Sequence, residues 1–330
     1  MAPRARDRRR AASAAVPSAA VPWAVWALVR GTGRERGFPL VPALAFTPYA
    51  ALTALLPLAV AVRTRSRAGV ALALTSGAWL GTSVLADRTG RTSGPAGGGT
   101  RVRIATVSLR LGLVPAEPVV DLVTRHDVDV LAVQELTPDA ERRLTAAGLR
   151  RALPHAHVIP ARPGTVVSAS GAVWSRLPLT PHGAVPGGFE QPTVRLDRSD
   201  GPPVEVTAVH TRPPATSPGA VREWAADLAA LPSPGPEALR VLAGDFNATA
   251  DHAAFRAVLR RGYVDAARAA GRGLAWTWRP LRLRFPWLTL DHVLVDPRLA
   301  VAGCRPVPVR GSDHRALVVD LELPPGGAAG

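Results

Sequence analysis

Seven residues in this chain could do acid, base or metal chemistry, and each sits where an apolar run begins or ends. Glu135 follows Leu131-Ala-Val-Gln, His210 closes the run 204–209, and Asp245 and Asn247 follow Val241-Leu-Ala-Gly. Asp291 opens His292-Val-Leu-Val, and Asp313-His314 stands just ahead of Ala316-Leu-Val-Val. Loops at strand ends are where a rigid sheet assembles a site. Glu135, Asp245, Asn247 and Asp313 offer hard oxygen ligands of the kind Mg²⁺ or Mn²⁺ takes, which zinc's preference for nitrogen and sulfur does not match. His210 and His314 add imidazoles able to donate to a phosphate oxygen or to move protons near neutral pH. Asn247 is the only asparagine in the chain.

Residues 101–323 supply the elements that such a site needs. β-Branched residues alternate at Val102, Ile104 and Thr106, and again at Val204 and Val206 before Ala208, as in strands. Short apolar runs at 129–133, 239–243, 290–295 and 316–323 read as further strands. Helical spacing appears in 115–126, in 216–231 through Val221, Trp224, Leu228 and Leu231, and in Phe255, Val258 and Leu259 before Gly262. Strands and helices alternate, so the class is α/β, without an internal repeat.

Six stretches in this order carry a resemblance: Val133-Gln-Glu135, Ser175-Arg176-Leu-Pro178, Val209-His-Thr-Arg-Pro213, Gly244-Asp-Phe-Asn-Ala248, Leu290-Asp-His-Val293 and Ser312-Asp-His314. Together they resemble the endonuclease/exonuclease/phosphatase superfamily, the metal-dependent fold of deoxyribonuclease I and neutral sphingomyelinases. The resemblance implies a four-layer α/β/β/α sandwich over 101–330 with the site at one rim. It implies that Glu135 ligates a divalent metal, with Asp313 a second carboxylate on the metal side. It further implies that Asp245 orients or deprotonates the attacking water and that Asn247 holds phosphate or water in line. His314, its tautomer fixed by Asp291, would stabilise phosphoryl charge, and His210 would lie near the leaving oxygen. His292 follows Asp291 on a strand, so it should face the other way and be structural. Arg176 suits a framework role at least as well as a phosphate contact. The pattern departs from the superfamily at Ser108, where the first strand usually ends in asparagine; a hydroxyl can ligate through water but lacks the amide's fixed geometry.

The first hundred residues have a different composition. Three uncharged apolar runs, 11–29, 38–62 and 68–86, are each long enough to cross about 30 Å of hydrocarbon. They are expected to form three transmembrane helices, making 1–86 a membrane anchor joined to the domain by a Gly/Ser/Thr linker at 87–100. The 330-residue chain has a formal charge of +15, all 40 of its basic residues being arginine. Thirteen arginines face 3 acids before residue 100, and 27 face 22 after it. The domain's small excess argues against tight duplex binding, and a single cysteine, Cys304, excludes an intramolecular disulfide or a four-cysteine zinc site. With the N-terminus inside and three spans, eight arginines (4, 6, 8, 9, 10, 63, 65, 67) fall on the cytoplasmic side and five (30, 34, 36, 88, 91) outside, which places the domain outside the cytoplasm.

Two functions of different class fit these features. One is a membrane-anchored Mg²⁺-dependent phosphodiesterase or phosphomonoesterase whose substrate is a nucleic acid, a phospholipid or a sugar-phosphate headgroup. The other is a tethered, non-catalytic binding module that keeps the fold. Neither implies a protein partner beyond the bilayer itself.

Overall fold

The computed structural model describes residues 5–88, 99–199 and 201–325, with side chains from Ala19 onward in the first helix. Most of the linker expected at 87–100 lies outside the described residues. The chain divides into two units, residues 1–87 with 251–253, and 88–250 with 254–330.

The first unit is helical: Ala5–Thr32, a broken run through Leu40–Ala43, Leu44–Phe46, Thr47–Thr53 and Leu55–Arg63, and then Arg67–Arg88. A proline lies close to each break, Pro42 before the first and Pro48 and Pro57 just after the next two, each removing a backbone donor and crowding the preceding turn. Trp26 Nε1 donates to Thr47 Oγ1 (3.0 Å), and Thr47 Oγ1 donates to the Leu44 carbonyl (2.7 Å), so these two side chains satisfy each other and the broken backbone. The outward faces are apolar: Leu28, Leu52, Leu55, Leu56, Leu74 and Leu85 are all exposed. Among the described residues, two helices are long and apolar enough to cross a membrane, Leu40–Arg63 and Arg67–Ala86. They correspond to two of the three expected spans, 38–62 and 68–86. The third expected run, 11–29, falls in the 28-residue helix Ala5–Thr32, whose side chains before Ala19 lie outside the described residues.

Among the described residues the second unit has twelve strands: β1 Arg101–Ser108, β2 Val130–Leu136, β3 His155–Ile159, β4 Ser170–Ser175, β5 Thr180–Val185, β6 Gln191–Leu196, β7 Val204–His210, β8 Leu239–Asp245, β9 Val264–Asp265, β10 Asp291–Val295, β11 Ala300–Pro308 and β12 Arg315–Glu322. They form two six-stranded sheets, ordered β11-β12-β1-β2-β4-β3 and β5-β6-β7-β8-β10-β9. The period-two alternation decides which side chains meet. Ile104, Val130, Ala132 and Val173 point inward against Val206, Val241 and Val293 of the other sheet. Their neighbours Ala105, Leu131, Val133 and Trp174 point outward, under Val119, Leu122 and Leu144 from helices Ala116–Arg125 and Pro138–Ala146. On the outer face of the second sheet, Phe246 packs edge-on against Phe255 at 5.5 Å, and Trp224 of helix Pro218–Ala230 is buried. The layers are thus α/β/β/α. Two helix starts are written in the sequence: Thr137 and Ser217 cap Ala140 N and Ala220 N (both 3.1 Å), each with proline at the next position.

Register brings the strand ends together. Parallel pairing aligns His210 of β7 with Asp245 of β8, and antiparallel pairing aligns Asp245 with Asp291 of β10. Parallel pairing of β1 with β2 sets Ser108 beside Gln134. Gly244 is required for this: a Cβ there would sit 1.9 Å from the Val209 carbonyl oxygen, so a side chain would push β7 and β8 apart just below His210 and Asp245.

Candidate active site

Two of the site residues stand on strained backbone. Glu135 has φ +55°, at a point where the β2–β4 register shifts between Val133 and Leu136; the irregularity lifts the carboxylate out of the strand's alternation. Asn247 has φ +46° and turns back, its amide N donating to Asp245 Oδ1 (2.8 Å) and its side-chain Nδ2 to Thr211 O (2.9 Å) and Asp245 Oδ2 (3.2 Å). A left-handed conformation costs a non-glycine residue about 1–3 kcal/mol and is typical of residues whose direction is fixed for function.

The centre of the site is a hydrogen-bonded pair. His314 Nδ1 lies 2.8 Å from Asp291 Oδ2, leaving Nε2 facing Asp245 Oδ2 at 3.9 Å. The Asp291 and His314 backbones are themselves held: the Leu290 and Asp291 amides both donate to Thr277 Oγ1 (3.0 Å), and the His314 amide donates to Ser312 Oγ (3.0 Å). Ser312 Oγ in turn donates to the Ser108 carbonyl (2.9 Å), tying the end of β1 to the loop before β12.

Electrostatics sort the titratable groups. Burial lowers the His314 imidazole, but the Asp291 charge and hydrogen bond outweigh it, with Asp245 and Asp313 adding, and the pKa rises to about 10. His314 is therefore an imidazolium at neutral pH. Burial lowers His210 to about 3, the His314 charge adding to the effect, so His210 is neutral. Burial raises Asp245, and the Asp291 charge raises it further against the pull of His314. Burial also raises Glu135, opposed by the Leu111 backbone amide that donates to its Oε2.

Every residue expected from the sequence is at this rim. Glu135 Oε1 lies 4.0 Å from His210 Nε2, and Asp313 accepts from Trp278 Nε1 (3.2 Å) on Oδ2. His292 faces the other way and binds Asp265 Oδ2 (2.8 Å) and the Ala248 carbonyl (3.0 Å), a structural role. Arg176 belongs to the framework, with its guanidinium 2.7 Å from Asp127 and donating to Val128 O (3.1 Å).

The donor set fits a divalent cation. Asp313 Oδ1 and Ser108 Oγ are buried oxygens without a hydrogen-bond partner, as a cation or its bound water would require. Asp245, Asp291 and His314 present atoms within 4.8 Å of one another, close enough for one ion. With Asp291 engaged by His314, Asp313 Oδ1 is a carboxylate oxygen beside this cluster that has no hydrogen-bond partner. If Ser108 merely weakens this set, Ser108→Asn will raise Mg²⁺ affinity or kcat by about 10-fold. A loss of activity in that variant would show that the hydroxyl serves this chain's own substrate.

Sequence reasoning did not find Phe189, whose ring stacks on His210 at 4.3 Å between centroids, or Thr211 and Thr277, whose contributions are a backbone carbonyl and a hydroxyl inside loops. No spacing signal marks such contacts.

A family model described as the endonuclease/exonuclease/phosphatase family matches residues 105–314, from β1 to the imidazole of the central pair. The chain belongs to this family. Its members are in general phosphoesterases and nucleases, and the fold generally uses a divalent metal. Similar solved structures include an endonuclease/exonuclease/phosphatase from Beutenbergia cavernae (20% identity, 69% of this chain and 73% of that one, TM-score 0.53). D. rerio TDP2, solved with a single-strand DNA product, is similar at 13% identity over 68% of this chain and 99% of that one, TM-score 0.52. At these identities the likeness concerns the fold. No curated protein matches.

Proposed function

We propose that the protein is a membrane-tethered, Mg²⁺-dependent hydrolase of a phosphate ester. The observation that carries this reading is the Asp291–His314 pair at 2.8 Å, with its free Nε2 beside Asp245. A charged imidazole facing a phosphoryl group stabilises the negative charge that grows on its equatorial oxygens. Asp245 takes or orients the proton of the attacking water, and Asn247, locked to Asp245 and Thr211, fixes the direction of attack. His210, neutral and stacked on Phe189, presents an N–H toward the leaving oxygen. Glu135 and Asp313 would hold the metal, whose Lewis acidity polarises the phosphoryl group when it is bound. D. rerio TDP2, of similar fold, is complexed with a single-strand DNA product, which is compatible with a phosphate-ester substrate here. Hydrolysis of bis-p-nitrophenyl phosphate by the purified full chain tests the reading. Wild-type turnover that Asp245→Asn abolishes is expected, and equal, negligible rates for both would favour the non-catalytic binding module.

The tether rests on the two apolar helices and their outward leucines. We place the domain outside the cytoplasm, on the eight-to-five arginine bias with Ala5–Thr32 as a further span. Alkaline phosphatase fused after Gly330 should then be active. If only the two helices cross, three arginines (63, 65, 67) oppose ten, the domain is cytoplasmic, and a fused green fluorescent protein will fluoresce instead.

A further inference from the structure

The loop 279–285 stands out for what it exposes. Its base is pinned beside the central pair: Trp278 and Leu288 exchange backbone hydrogen bonds (both 2.9 Å), the Arg279 amide donates to the Asp313 carbonyl (3.1 Å), and the Arg315 amide donates to the Thr277 carbonyl (2.6 Å). The tip is a turn, with the Leu283 amide donating to Pro280 O (3.1 Å) and the Arg279 guanidinium to Leu283 O (2.9 Å). Arg279 and Arg315 lie over the Trp287 ring at 5.1 and 4.2 Å, which stiffens the stem. On this rigid stem the tip presents Leu281, Leu283 and Phe285, 38%, 55% and 68% exposed, alternating with the exposed Arg282 and Arg284.

Charge points to the partner. Between Asp265 and Asp291 there is no acid, while Arg268, Arg272, Arg279, Arg282 and Arg284 give +5, equal to the net charge of residues 101–330. Cations interleaved with exposed apolar side chains match an anionic bilayer surface: the guanidinium groups meet lipid phosphates and the apolar groups enter the acyl boundary. Single-stranded nucleic acid would be met by aromatic platforms, and two of the three apolar groups at the tip are aliphatic leucines with no base face to stack on.

We propose that loop 279–285 docks on an anionic lipid surface and thereby presents the adjacent site to phosphate esters carried by lipids. The substrate part rests on the hydrolase reading above, whereas the docking part does not. The full chain, reconstituted in phosphatidylcholine vesicles with and without phosphatidylglycerol, provides the test. Leu283→Cys carries an environment-sensitive fluorophore; the native Cys304 is buried and is left unlabelled. Blue-shifted emission and quenching by lipid-attached nitroxides are expected, several-fold stronger with phosphatidylglycerol, and absent from the same probe at Val166→Cys on another exposed turn. A probe at 283 that stays water-exposed in both lipids, or that responds only to single-stranded DNA, would overturn the docking. In parallel, the variant Leu283→Ser/Phe285→Ser should keep bis-p-nitrophenyl phosphate hydrolysis within twofold while losing about 10-fold on a phosphodiester in the vesicle. Equal rates on the vesicle substrate would overturn the lipid-substrate part. A buried probe in a protein without any hydrolysis would leave the docking standing and reject the hydrolase reading.

Discussion

Replacing His314 by alanine should lower phosphate-ester hydrolysis about 10²-fold or more, and replacing Asp291 should cost a similar factor. The reason is geometric as well as electrostatic. Asp291 Oδ2 holds Nδ1 at 2.8 Å, so only Nε2 can face the phosphate, and the carboxylate keeps the ring charged although burial opposes it. Without Asp291 the ring samples other rotamers and sheds its proton; without His314 the carboxylate has nothing to orient. The double variant should therefore be little worse than the worse single, because residues acting as one unit are not additive. Asp291→Asn separates the two contributions: its amide oxygen can still accept from Nδ1–H, but the charge is gone. Rates from all four variants, with circular dichroism to verify folding, check this. Strictly additive losses, or a near-normal rate for a folded Asp291→Ala, would remove the pair from the mechanism.

Much of the site was legible in the sequence because strands end where apolar runs end, and pairing then aligns the ends. Asp245, His210 and Asp291 needed only the β7–β8–β10 register to become neighbours. The central strands were readable for the same reason, being continuous buried runs. The edges were not. Strand β5 is exposed along most of its length and bulges between Pro181 and Ala184, and β11 carries Gly303, Pro306 and Pro308, so neither shows a β pattern. Strand β4 begins with small residues, Ser170-Gly-Ala, whose burial comes from packing between sheet neighbours rather than from their own hydropathy. The charged or neutral state of each imidazole was not readable at all, since it depends on a carboxylate 2.8 Å from one ring and on burial without a partner for the other.

Metal dependence has the largest effect and bears most directly on the central claim, that these residues form a cation-assisted phosphoester hydrolase. Glu135 is aimed by a strained residue in a strand irregularity, and Asp313 Oδ1 is buried with no hydrogen-bond partner. Both arrangements cost stability unless a cation compensates them. The deciding measurement is hydrolysis of bis-p-nitrophenyl phosphate by the purified full chain after exhaustive EDTA treatment, followed by Mg²⁺ or Mn²⁺ titration, for the wild type and Glu135→Gln. The expected result is loss of turnover to the uncatalysed rate, recovery on adding either ion, and at least about a 10-fold higher Mg²⁺ requirement in Glu135→Gln. Turnover that survives chelation, or a Glu135→Gln variant with the wild-type Mg²⁺ dependence, would contradict it.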